Sequence, residues 1–168
     1  AGSLTIDGNI ALTSATGSST ASQLRVNVDN NVTINGIISG GLAAGRDSTL
    51  EVNVATGSNG GTTLTLGNAN TYVGTTLINK GTLALGADGS INNSDIINVG
   101  ASGVFDVSAV NGGYSLVSGQ TLKGNGAIHG AVIVASGATL APGDGVGTLT
   151  FSDTLTLAGD TVMDIGKS

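Results

Sequence analysis

The stretch Thr63-Leu64-Thr65-Leu66-Gly67 recurs, altered, as Thr82-Leu83-Ala84-Leu85-Gly86, 19 residues later. No other feature constrains the fold so tightly. Alternation of Leu with Thr has the period of a β-strand, which sends both leucines to one face and both threonines to the other. Other segments repeat in the same style. Gln23-Leu24-Arg25-Val26-Asn27-Val28 resembles Thr49-Leu50-Glu51-Val52-Asn53-Val54, 26 residues on, and Val99-Gly100-Ala101-Ser102-Gly103-Val104-Phe105 resembles Val134-Ala135-Ser136-Gly137-Ala138-Thr139-Leu140. A unit of roughly 20 residues with variable loops marks a solenoid.

Short apolar runs fill the rest of the chain: Leu4–Ile6, Leu24–Val28, Val32–Ile34, Leu50–Val54, Leu64–Leu66, Leu77–Ile78, Leu83–Leu85, Ile96–Val99, Val104–Val107, Ile128, Val132–Val134, Leu149–Phe151, Leu155–Leu157 and Val162–Ile165. Gly, Asn, Asp or Ser separates them, residues that suit tight turns and the left-handed backbone region. Helix formers are scarce, and Gly interrupts most windows before two helical turns are complete. Antiparallel hairpins would show longer strands joined by two-residue Asn-Gly or Asp-Gly turns.

Hydrophobic residues make up 39% of the chain but aromatics only 2%, so the core must be built from Leu, Ile, Val and Ala. Charged residues are 10%, against about 25% in an ordinary domain. Order therefore cannot rest on ion pairs. A parallel β-helix satisfies these constraints. Each coil stacks its inward Leu, Ile or Val on the coil below at about 4.8 Å, and the backbone bonds to both neighbours. The expected architecture is all-β, a single-stranded parallel β-helix of about eight coils and roughly 40 Å. It forms one domain over residues 1–168, with divergent coils in 1–59. The expected inward ladder holds Leu64, Leu66, Leu83, Leu85, Val99, Val107, Val132, Val134, Leu149, Leu155 and Leu157, with Phe105 and Phe151 also in the core. Asn at the corners is expected to form side-chain ladders.

Several functions are disfavoured at once. The net charge is −6 with five Lys plus Arg, so there is no basic cluster to grip nucleic acid or an anionic membrane surface. No apolar run approaches the roughly 20 residues of a membrane-spanning helix. Outer-membrane strands of about 9–11 residues with aromatic girdles are not seen either. No signal peptide is legible at Ala1. With no Cys, disulfides, thiolate metal sites and a Cys nucleophile are ruled out.

Residues 60–86 resemble the autotransporter-associated β-strand repeat, also called the passenger-associated transport repeat. The matching residues are Leu64-Thr65-Leu66, Asn68-Ala69-Asn70-Thr71-Tyr72, Gly74-Thr75-Thr76 and Asn79-Lys80-Gly81-Thr82-Leu83-Ala84-Leu85-Gly86. A second match runs from Leu122-Lys123-Gly124-Asn125-Gly126 through Gly130-Ala131-Val132-Ile133-Val134 and Ser136-Gly137-Ala138-Thr139-Leu140-Ala141-Pro142-Gly143 to Gly147-Thr148-Leu149-Thr150. Repeat motifs of this kind extend over the coils of 60–168. The resemblance implies a right-handed parallel β-helix belonging to a large secreted or surface-anchored bacterial protein. It marks export and scaffold, not an activity.

No catalytic, cofactor-binding or metal-binding residue is expected. His129 is the only His and lacks a nucleophile motif such as G-x-S-x-G. Glycosidases need two placed carboxylates, yet Asp7, Asp29, Asp47, Glu51, Asp88, Asp95, Asp106, Asp144, Asp153, Asp160 and Asp164 are scattered singly near turns. There they read as local backbone acceptors. Polysaccharide lyases would add aromatic platforms, and the only further aromatics are Tyr72 and Tyr114. The calcium repeat of β-rolls and the EF-hand loop are both missing. Gly124-Asn125-Gly126 opens no helix, which removes a nucleotide-binding reading. Thr-x-Thr at Thr63/Thr65, Thr148/Thr150 and Thr154/Thr156 is the one repeated surface feature.

The expected function is therefore a non-catalytic structural segment at the bacterial outer surface or outside the cell: a passenger stalk, an adhesin scaffold or an extracellular fibre subunit. The alternatives are a polysaccharide-acting β-helix enzyme and an ice- or surface-binding Thr array. Residues 1–12 and 161–168 both read as strand, so the expectation is either a piece of a longer helix or head-to-tail self-association, with one copy's last coil stacked on the next copy's first.

Overall fold

In a computed structural model the chain is all-β; the structure describes residues 3–13, 23–27, 30–40, 48–53, 62–143, 145–164 and 166. Among the described residues there is no helix, and every pairing between strands is parallel.

One column of rungs contains β1 (Leu4–Ile6), β4 (Val32–Ile34), β7 (Thr63–Leu66), the second half of β8 (Gly74–Leu85), the second half of β9 (Ser94–Asp106), β12 (Ala127–His129) and β15 (Thr150–Phe151). Its inward line reads Leu4, Val32, Leu64, Leu83, Phe105, Ile128 and Phe151, each the register partner of the next. A second column holds β3 (Gln23–Asn27), β6 (Ser48–Asn53), the first halves of β8 and β9, β11 (Thr121–Gly124), β14 (Thr139–Pro142) and β17 (Asp160–Thr161). Its line runs through Leu24, Leu50, Thr76, Ile97, Leu122, Leu140 and Thr161. The remaining strands make two smaller parallel sheets: β2 (Ile10–Leu12) with β5 (Ile38–Gly40), and β10 (Tyr114–Leu116) with β13 (Val132–Val134) and β16 (Leu155–Leu157).

The period-two pattern explains these lines. In β7 the two threonines are half-buried and the two leucines are buried. Each fully buried Leu, Ile or Phe contributes about 1.5–3 kcal/mol of transfer free energy, and most such residues converge on one continuous core. The two clearest sequence repeats are register pairs: Leu64 sits on Leu83 and Leu24 on Leu50. The third is not. Val99 pairs with Gly124, whereas Val134 pairs with Leu116 and Leu157. Ser102-Gly103 lies within β9, whereas Ser136-Gly137 is a turn with Gly137 at a φ of +80°.

Other expectations need correction. Leu77–Ile78 and Leu83–Leu85 are parts of one strand, as are Ile96–Val99 and Val104–Val107, apart from Val107 itself, which lies just beyond the strand end. The strands bend instead of breaking, with the burial pattern slipping phase at Asn79–Gly81 and Gly100–Ser102. Tyr114–Leu116, Thr121–Gly124 and Thr139–Pro142 are strands that no apolar run announced. Val162–Asp164 carries no strand, and the pairing there falls on Asp160–Thr161. Leu155 is half-buried and Leu157 is 52% exposed, because among the described residues β16 has a parallel neighbour on one side only. Phe151 is likewise half-buried, whereas Phe105 is fully buried. Val28, Val54 and Ile165 lie outside the described residues.

The corner after β1, β4 and β7 holds the expected Asn and Asp residues, bonded mainly to backbone. Asn35 Nδ2 donates to Asp7 Oδ1 at 2.8 Å, and Asn68 Nδ2 donates to the Asn35 carbonyl. Asn9 Oδ1 accepts from Ile37 N at 2.8 Å, and Asn70 Oδ1 accepts from Ile38 N at 2.9 Å. Side chains of one rung thus satisfy the turn amides of another.

Candidate functional site

Three polar clusters concentrate the chemistry. The first surrounds His129, which is exposed at the end of β12 and takes Asp106 as its register partner. Asp106 Oδ1 accepts from Ser108 N at 2.9 Å and from Ser108 Oγ at 2.6 Å. A Ser, an Asp and a His are therefore neighbours, but in the wrong order for nucleophilic catalysis. A serine nucleophile needs an imidazole aimed at its hydroxyl, with the carboxylate behind the imidazole. Here the carboxylate itself holds the hydroxyl, in a turn that carries the chain out of β9.

The second cluster centres on Glu51, an outward position of β6 that is nonetheless 8% exposed. Glu51 Oε2 accepts from Arg25 Nε at 2.8 Å and Gln23 Nε2 at 3.1 Å, and Oε1 accepts from Asn79 Nδ2 at 3.0 Å. Arg25 Nη2 closes an ion pair at 2.7 Å. The carboxylate is enclosed by donors from rungs on both sides and is fully engaged. The signal was present in the sequence: Arg25 and Glu51 occupy matching places in the 26-residue repeat, and opposite charges at one repeat position predict a cross-strand pair.

The third cluster is internal. Tyr72 Oη lies 2.6 Å from Thr76 Oγ1, which lies 2.8 Å from Ser94 Oγ, and Ser94 Oγ also reaches the Gly74 carbonyl at 2.7 Å. Nearby, Gln120 Nε2 donates to the carbonyls of Ser94 at 2.7 Å and Ile91 at 3.0 Å, and Tyr114 Oη donates to Gln120 Oε1 at 3.3 Å. The Tyr114 ring meets Phe105 edge-on with centroids 5.4 Å apart. Burial pushes both phenols well above their ordinary ionisation range. This cluster ties rungs together and offers no surface to a ligand. Sequence reasoning missed it, because Tyr72 and Gln120 sit outside the strands that periodicity can find.

Among the described residues, the acids do not converge. Glu51 belongs to the second column, and Asp95 is skipped by the ladder where Ser94 pairs with Gly74 and Ile96 with Thr75. Asp106 stands on the first column, while Asp7, Asp88 and Asp153 sit in exposed turns between strands. Asp160 pairs with Thr139, and Asp164 follows the last strand. Asp29, Asp47 and Asp144 lie outside the described residues. Among the described residues, no three His, Asp or Glu side chains come together where a metal ion could bind.

The Thr-x-Thr sites separate as well. Thr65 continues a ladder from Thr5 and Thr33, which then passes to Ala84 and Asp106. Thr150 stacks on Ala127, and Thr156 belongs to the β16 sheet. The chain matches no protein-family model, no curated protein and no solved structure.

Proposed function

We propose that this chain is a non-catalytic scaffold segment of a secreted or surface-displayed bacterial protein, built as a right-handed parallel β-helix of about eight coils. The observation that carries the reading is the unbroken inward line from Leu4 to Phe151, seven residues linked by parallel register alone. Such a line extends a molecule along one axis, and extension is what a stalk, an adhesin scaffold or a fibre subunit requires. The right hand follows from the strong preference of parallel crossover connections. The autotransporter-associated repeat pattern of residues 60–86 supplies the export context.

Axial self-association with a second copy belongs to the same proposal. Leu157 is 52% exposed in a line where Leu116 and Val134 are fully buried. A further parallel rung, from another copy or from a continuation of the same helix, would cover it.

Three measurements test the reading. Surface proteolysis and antibody labelling of intact cells should find the chain outside the outer membrane; a purely cytoplasmic signal overturns it. Sedimentation across a wide concentration range should show end-to-end growth, and a constant monomer mass removes the axial contact. A polysaccharide-cleaving activity lost on a single Asp→Asn change would replace the scaffold with the enzyme alternative.

A further inference from the structure

We propose that Asn111-Gly112 is a self-modification site, at which the chain converts its own asparagine to aspartate and iso-linked aspartate. Asn-Gly is the dipeptide best suited to this reaction, because glycine leaves the following amide nitrogen unhindered. That nitrogen attacks the Asn side-chain carbon. The new N–Cγ bond forms, the Cγ–Nδ2 bond breaks, and Nδ2 leaves as ammonia carrying the proton from the amide. Water then opens the five-membered imide at either carbonyl. Nothing is oxidised or reduced, and one neutral side chain becomes a carboxylate.

The sequence holds four such pairs, at Asn35, Asn59, Asn111 and Asn125. Asn59 lies outside the described residues. The fold separates the other three. Gly36 N donates to Ile6 O at 3.3 Å, and Asn35 Nδ2 is held by Asp7 at 2.8 Å. Gly126 N donates to Val99 O at 3.0 Å. Gly36 and Gly126 are both buried, and a Cβ at either would run into backbone of a neighbouring rung. Neither nitrogen can reach its Asn side chain without breaking the stack.

Asn111-Gly112 is built differently. Both residues are exposed in the turn between β9 and β10. The bond from Gly113 N to Val110 O spans this pair, the bond from Val110 N to Val107 O precedes it, and the Gly112 N–H donates to no described residue. Apart from the adjoining Asn111 and Gly113, no described residue lies within 4 Å of a Cβ placed on Gly112. The attacking nitrogen is free, and its surroundings allow the ring to close. Intramolecular attack of this kind depends steeply on placement, with about 1 Å of misplacement costing on the order of 10²-fold. The iso-linked product lengthens the main chain by one carbon shortly before Tyr114, the residue that packs on Phe105.

The test is peptide mapping of the folded chain after incubation at mildly alkaline pH, with fragmentation that distinguishes Asp from iso-linked Asp. A parallel sample is held in urea. In the folded chain, Asn111 should convert on the order of 10²-fold faster than Asn35 and Asn125. In urea the three should converge. Equal rates at the three sites in the folded chain, or an Asn111 slowed by folding as much as the others, would overturn the proposal.

Discussion

Thr76 occupies an inward position between Leu50 and Ile97, where an aliphatic residue would complete the column. It is fully buried, and its hydroxyl links Tyr72 to Ser94. Thr76→Val keeps the shape and removes the link. Ser94 retains the Gly74 carbonyl, while the Tyr72 hydroxyl loses its 2.6 Å partner in the core. The expected loss is about 1–3 kcal/mol of stability by urea unfolding; no change would mean that the hydroxyl of Tyr72 finds another partner. The same burial makes alkaline pH a probe of the fold. Tyr72 and Tyr114 are the only tyrosines, and both hold their protons above the ordinary phenol value of about 10. An unfolded chain releases these protons first. Stability from this source is therefore complete below pH ~10 and is lost above it, by up to ~1.4 kcal/mol per pH unit for each phenol. Phenolate absorbance should rise together with unfolding. A phenolate signal at pH ~10 from a chain that is still folded would contradict the buried placement.

At the scale of the strand, β8 and β9 turn corners without losing their partners, and glycine makes this possible. A Cβ on Gly103 would press into the Ile78 carbonyl of the rung below. Gly112 has a φ of +80° in open space. Gly103→Ala should therefore destabilise by more than Gly112→Ala, which carries only the left-handed backbone strain of about 1–3 kcal/mol. Chemical denaturation of the two variants side by side reads the difference, and the reverse order would remove close packing as the reason for the corner glycine. These corners mark how far the sequence could be read. Leu64 on Leu83 was legible because both segments keep the period of two through Thr-Leu-Thr-Leu and Thr-Leu-Ala-Leu. Tyr114–Leu116 was not, since Tyr-Ser-Leu is too short to show a period, and burial there depends on β13 lying beside it. Leu77 shows the same limit. It belongs to an apolar run with Ile78, yet the inward phase set by Thr76 and Ile78 turns it outward, half-buried. For the candidate site, the lone His129 and the scattered acids were visible as residues. Their arrangement, with Asp106 holding Ser108 and Glu51 enclosed by Arg25 and Asn79, depended on a register between rungs that only the fold supplies.

Across the whole molecule, each rung touches mainly its neighbours, so stability is close to a sum of rung and interface terms. Position in the stack then decides what a lesion does. Leu83 is fully buried between Leu64 and Phe105, both buried themselves. Leu83→Asp places an unpaired carboxylate inside that line, and the expected loss is several kcal/mol, about 3–5. Leu157 pairs with Val134 alone and is 52% exposed. Leu157→Asp should cost about 1 kcal/mol or less, since its charge reaches water. The two variants also differ in kind. A charge in mid-stack weakens the interfaces on both sides of one rung, so the segments before and after it no longer melt as a unit. Hydrogen exchange should then show β1–β7 and β11–β14 opening with separate free energies in Leu83→Asp, where the parent chain opens them together. A single cooperative opening in that variant, with the loss spread evenly from β1 to β14, would mean that the rungs are coupled by more than nearest-neighbour contact.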